Sequence, residues 1–250
     1  MLSSNVFTVT TGALLLGAAT ASPTLIQHGK REDIPVGTII TSCNVEGVIA
    51  LTFDDGPFAY TDQVLDHLAE AGMKATFFIN GDNWASIYDY QSTVNRMISD
   101  GHQVASHTMT HPDLTKLSRS GVEQEMTQLE EAMLNVIGKF STYMRHPFFS
   151  SNEQSLSVMG SLGYKVVHSS IDTKDWEHNT PETNDQSVEI FRNSLDEGGS
   201  IALMHDVHAT TAQNLVPAVI EIVQERGLNA VTVGECLGDP EENWYRTSRE

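Results

Sequence analysis

Val48-Ile49-Ala50-Leu51-Thr52-Phe53-Asp54-Asp55-Gly56-Pro57 begins as an apolar, β-branched run and ends on two carboxylates and a Gly-Pro turn. A short continuous apolar run closed by turn residues reads as a strand buried on both faces, as parallel sheets require. The same pattern recurs on either side of longer segments with helical period. Strands are expected at 48–53, 74–80, 103–107, 142–146, 165–171, 200–205 and 229–233, and helices near 61–71, 87–100, 119–137, 152–162, 186–196 and 212–226. Several helical segments stop at glycine, as at Gly72, Gly101, Gly138, Gly163 and Gly227, the residue that most readily ends a helix. Strand and helix alternating through about seven βα repeats predict an α/β fold, a (β/α) barrel that is distorted or incomplete, with a doubly wound open sheet as the alternative.

The chemically capable residues fall at the carboxyl ends of these strands: Asp54 and Asp55, then His107 and His111, Arg145, Asp172, and His205. In a βα barrel the loops at that end surround one pocket, so residues distant in sequence converge. Adjacent carboxylates at a strand end point in different directions, so one can bind a metal while the other handles protons; an ordinary Asp-Gly turn is the lesser alternative for the segment alone. His107 and His111 stand four apart, and Pro112 disfavours a helix at His111, so a tight turn is expected to aim both rings at one cation. With one of the aspartates they form an Asp-His-His set whose N/O ligation suits Zn²⁺, with Co²⁺ or Ni²⁺ able to substitute. A carboxylate in Asp172-Thr173-Lys174-Asp175-Trp176 could orient and charge His205 on the neighbouring strand, as a general acid needs.

Fourteen Lys and Arg against 33 Asp and Glu give a net charge of −19, which disfavours nucleic acid and anionic membranes as partners. An apolar stretch ending in Ala19-Thr20-Ala21, before Ser22-Pro23, reads as a secretory signal over 1–21, although no Lys or Arg precedes Lys30. Lys30-Arg31 could end a pro-segment over 22–31, leaving 32–250 as one catalytic domain. Secretion agrees with the two cysteines, Cys43 before the first clear strand and Cys236 after the last, which are expected to form one disulfide. A secreted monomer is expected.

The ordered series of 52–57, 107–111, 145–148, 172–176 and 203–205 resembles the NodB-homology polysaccharide deacetylases, carbohydrate esterase family four, over essentially 45–235. The whole chain looks most like the fungal chitin deacetylases of that family. The resemblance implies Asp54 as catalytic base, Asp55, His107 and His111 as metal ligands, and His205 as general acid. It implies that Arg145 holds the base, that Asp172 tunes the acid, and that Trp176 and Leu203 wall the acetyl pocket. Phe148 stands where many members have Tyr; its backbone N–H is expected to stabilise the oxyanion, without a phenolic hydroxyl. His67, His102, His146, His168, His178 and His208 match no motif role and are expected to be structural or exposed. The implied reaction is metal-dependent removal of N-acetyl groups from chitin or chitooligosaccharides; acetyl xylan, peptidoglycan or a noncatalytic sugar-binding role are the alternatives.

Overall fold

The computed structural model describes Met1 and residues 34–249. Apart from Met1, the expected signal and pro-segment lie outside the described residues. From Ile34 onward the chain forms one compact unit.

Its elements in order are β1 (Ile39–Ile40), β2 (Val48–Asp54), α1 (Thr61–Ala71), β3 (Thr76–Ile79), α2 (Gln91–Ser99), β4 (Gln103–Ser106), α3 (Arg119–Ile137), β5 (Phe140–Ser141), β6 (Tyr143–Met144), α4 (Glu153–Leu162), β7 (Lys165–Val167), β8 (Ile171–Asp172), α5 (Asn184–Asp196), β9 (Ile201–His205), α6 (Val216–Glu225), β10 (Asn229–Val231), α7 (Val233–Leu237) and β11 (Tyr245–Arg246). The strands β1-β7-β6-β4-β3-β2-β9-β8 pair in parallel in that order, and β10 joins β2. This curled sheet is a half-barrel with helices, the incomplete form of the expected barrel.

Side-chain parity along β2 decides what faces what. Ile49, Leu51 and Phe53 join the larger core with Val64, Leu68 and Val219 of the helices, whereas Ala50 belongs with Phe78, Ala105, Tyr143, Val167 and Ile201 inside the curl. Successive strand residues point to opposite faces, so Thr52 and Asp54 share the face of Ala50. Tyr143 of β6 and Arg145, the residue just after it, share it for the same reason. The interior is thus apolar at one end and carries a buried carboxylate and guanidinium at the other.

Three expectations change. The strand expected over 165–171 is two strands in different places, β7 beside β6 and β8 beside β9. The chain breaks there because Arg145 takes the carbonyls of Val167 and His168, while Ser170 Oγ accepts from the backbone N–H groups of Ser200 and Ile201. The helix expected over 87–100 starts as a 3-10 turn at Ile87–Tyr90, and the strand expected over 229–233 ends at Val231, followed by the short helix α7 with a Thr232/Glu235 capping box. The helix over 119–137 appears as expected and stops at Gly138, whose φ of 71° is left-handed.

Cys43 and Cys236 form the expected disulfide across 193 residues. Closing so long a loop restricts the unfolded chain, so replacing both cysteines by serine is expected to remove roughly 2–5 kcal/mol. Calorimetry should then show Tm lower by roughly 10 °C, from about 2–4 °C per kcal/mol at this size; an unchanged Tm would show that the bridge contributes nothing.

Candidate active site

The registers β2 Asp54 beside β9 His205, β3 Ile79 beside β4 Ser106, and β8 Asp172 beside β9 Leu203 bring the strand ends together. They open into a pocket of about 500 Å³ whose lining includes Asp54, Asp55, His107, His111, Asp172 and His205.

Among the described residues, Asp55, His107 and His111 form a trio whose ligand atoms lie within 4.8 Å of one another. Asp55 Oδ1 is 3.1 Å from His111 Nε2 and 3.6 Å from His107 Nε2. His107 Nδ1 is 2.9 Å from the Arg145 carbonyl, which can only accept; the ring proton therefore sits on Nδ1 and the Nε2 lone pair faces Asp55. Burial pushes His107 well below its usual pKa and lowers His111 too, leaving neutral rings. Asp55 Oδ1 is buried without a hydrogen-bond partner. Two imidazole lone pairs converging on an orphaned carboxylate oxygen fit a divalent cation and are costly without one.

The loops holding these groups are strained where function needs them. Asp55, Thr108, His111, Phe148, Phe149 and Lys174 all have positive φ, a conformation costing about 1–3 kcal/mol each for such residues. Asn80, buried at the end of β3, ties two of these loops together: its side-chain amide donates to the carbonyls of His107 and Thr108, and its backbone N–H donates to that of Gly56. Any side chain at Gly56 would displace the Asp206 carboxylate, since a Cβ would sit 2.3 Å from Asp206 Oδ2. Asn80→Ala is therefore expected to weaken metal binding roughly 10- to 100-fold, as loss of ligand-orienting partners does elsewhere, read by competition with a chelating dye; unchanged affinity would show that the turns hold without Asn80.

Asp54 and Arg145 meet as the strand parity requires. Arg145 Nη1 donates to Asp54 Oδ1 and to Thr52 Oγ1, each at 2.7 Å, and the guanidinium lies over Phe78. Asp54 Oδ2 is 3.7 Å from His107 Nε2, so the free oxygen faces the metal trio. Burial raises Asp54 to about 6 despite the opposing charges of Arg145 and His205.

The carboxylate that contacts His205 is Asp175, which corrects the role expected of Asp172. Asp175 Oδ1 lies 2.7 Å from His205 Nδ1, and Oδ2 accepts from the His205 backbone N–H and Thr211 Oγ1. Asp172 lines the pocket, but its Oδ1 accepts from the Lys174 N–H. Lys174, with φ of 53°, turns the chain so that the second aspartate reaches beneath the imidazole. Burial alone would lower His205, but Asp175, with Asp54 and Asp55, raises it to about 10.

Phe148, Trp176 and Leu203 all line the pocket, Phe148 edge-on to His111 at 4.6 Å. Trp84, His146 and His208 line it as well, His146 almost fully buried. Asp175 was readable beside Trp176, and His208 three residues after His205; Trp84 and His146 carry no comparable signal in the sequence.

Comparison with known proteins places this geometry. The family model described as polysaccharide deacetylase matches residues 41–167, just over half the chain. The chain is 53% identical to a chitin deacetylase of a Pestalotiopsis species over 94% of its own length and 78% of the relative's. It is 49% identical, over 86% of its length, to a probable peptidoglycan-N-acetylglucosamine deacetylase of Arthroderma benhamiae, of which it spans about half, 49%. The solved structure of the chitin deacetylase from Colletotrichum lindemuthianum superposes with a TM-score of 0.84 at 45% identity, covering 87% of this chain and 99% of that one. With a family model covering half its length and relatives this similar, the chain belongs to the polysaccharide deacetylase family.

Proposed function

We propose that this chain is a secreted, monomeric enzyme that hydrolyses the N-acetyl groups of N-acetylglucosamine residues in chitin or chitooligosaccharides, releasing acetate and leaving chitosan. The observation that carries the reading is one pocket holding a cation trio, a carboxylate with a free oxygen toward it, and a histidine hydrogen-bonded to a buried aspartate. The chitin deacetylases among its relatives support the substrate class, and the disulfide supports an extracellular setting. The proposed layout is a signal over 1–21, a pro-segment over 22–31 and a catalytic domain over 32–250.

Asp55, His107 and His111 would hold the cation, Zn²⁺ by donor chemistry, with Co²⁺ or another divalent transition metal able to replace it. That cation supplies Lewis acidity toward the acetamide carbonyl and makes water acidic. Asp54 Oδ2 takes the proton of the attacking water, while Arg145 holds Oδ1 so that the base cannot rotate away. The Phe148 backbone N–H donates to the oxyanion that forms on the former carbonyl oxygen. His205 gives its proton to the departing amine nitrogen, and Asp175 keeps the ring oriented and charged until it does. Leu203 and Trp176 enclose the acetyl methyl.

Acetate release from chitin oligomers by the purified protein tests the reading. Chelation is expected to abolish release and added Zn²⁺ to restore it. No release from chitin oligomers, with release from acetylated xylan or peptidoglycan, would move the substrate to that polymer; no release from any of them would leave a sugar-binding protein.

A further inference from the structure

His208 has no part in the reaction as drawn, yet it lines the same pocket. Its ring is 5.9 Å from that of His205 and 5.8 Å from the indole of Trp84, nearly perpendicular to it at 87°. Trp84 is 48% exposed but not loose, since the Phe58 ring packs against it with centroids 5.6 Å apart. A half-open indole fixed at a pocket mouth offers a flat apolar face to a pyranose ring.

Asn179 engages one nitrogen of His208. Its Oδ1 accepts from Thr210 Oγ1 at 2.7 Å, and in that amide orientation Nδ2 donates to His208 Nδ1 at 3.0 Å. A nitrogen that accepts a hydrogen bond carries no proton, so in the neutral ring the proton is on Nε2. Burial lowers the pKa of His208 from 6.5, which keeps the ring neutral around pH 7. The Nε2–H donor has no hydrogen-bond partner among the described residues.

Three loops make this corner: Trp84 follows β3, Asn179 follows β8 and His208 follows β9. It adjoins the acid that meets the departing amine, whereas the acetyl methyl is enclosed by Leu203 and Trp176. We infer that His208, held by Asn179, is a specificity-determining donor whose Nε2–H bonds a hydroxyl of the glycan as the sugar lies against Trp84. The inference rests on the deacetylase reading of the same pocket. It makes His208 a selector for the sugar chain, with no share in the proton transfers.

A neutral hydrogen bond of this kind changes affinity by roughly three- to tenfold. For a tetramer of N-acetylglucosamine, His208→Ala is therefore expected to raise KM by about that factor with kcat within about twofold. His208→Gln, which returns an amide donor at similar reach, is expected to recover most of the loss, and Asn179→Ala to reproduce part of it. An unchanged KM, or a fall in kcat at constant KM, would overturn the inference. Calorimetric titration of the chelated wild type and chelated His208→Ala with the same tetramer gives a readout independent of turnover. Weaker binding by the variant supports the donor, and equal affinity overturns it. If the wild type releases no acetate, the deacetylase reading fails by itself, and the titration still decides the role of His208.

Discussion

Asp54→Asn is expected to lower kcat by about 10²- to 10⁴-fold, the range that a positioned general base contributes, while bound metal stays at the wild-type level. Asparagine keeps the Oδ1 acceptor that Arg145 Nη1 uses at 2.7 Å, so the buried guanidinium retains a partner. Alanine would not do the same work, because an uncompensated buried charge costs about 3–5 kcal/mol and misfolding would obscure the chemistry. The atom that changes is Oδ2, which faces the metal trio 3.7 Å from His107 Nε2. As an amide nitrogen it can no longer take a proton from water. The pH dependence gives a second signature. Burial raises Asp54 to about 6; a raised carboxyl is neutral below that value, so wild-type turnover should fall as pH drops through it. A divalent charge bound beside it favours the carboxylate and moves this limb lower. In the variant the acidic limb should disappear from whatever activity remains. Full activity in Asp54→Asn, with metal bound, would remove Asp54 from the role of base.

The positions of these groups were legible because strand periodicity is a strict rule. Once β2 is read from its apolar run, Asp54 must share the inner face with Ala50 and Asp55 must leave it, which sends the two carboxylates in different directions; which is base and which is ligand is what the resemblance to the family implies. The glycine and proline after them fix where the strand stops. The break at 168–170 was not fixed by the sequence, because His168-Ser169-Ser170 between Val167 and Ile171 is short enough to lie within one strand and the cause of the break lies elsewhere: Arg145, more than twenty residues earlier, captures the carbonyls of Val167 and His168. The choice between Asp172 and Asp175 fails for a related reason. Both follow the same short strand, and only the left-handed turn at Lys174 decides which one reaches His205. His208 likewise gains meaning only when Trp84 and Asn179 arrive from other loops.

Asp175→Asn should lower kcat by about 10²- to 10⁴-fold, and Asp172→Asn should not. Asp175 is fully buried and takes three donors: the His205 ring, the His205 backbone N–H and Thr211 Oγ1. Burial by itself lowers the pKa of His205; it is the Asp175 charge, with lesser help from Asp54 and Asp55, that raises it to about 10. A histidine with a raised pKa is a competent acid at every pH below that value and loses its proton as pH rises through it. Removing the carboxylate leaves burial to dominate, so the alkaline limb of activity should move down towards neutrality. Metal loading lowers this limb in both proteins, so the comparison is made at equal bound metal, where the cation's effect is common to both. Asp172 makes no contact with the imidazole, its Oδ1 being engaged by the Lys174 N–H, and its removal should leave the alkaline limb in place. A large alkaline shift in Asp172→Asn with none in Asp175→Asn would return the acid-tuning role to Asp172 and break the link between the 2.7 Å contact and the charge on His205.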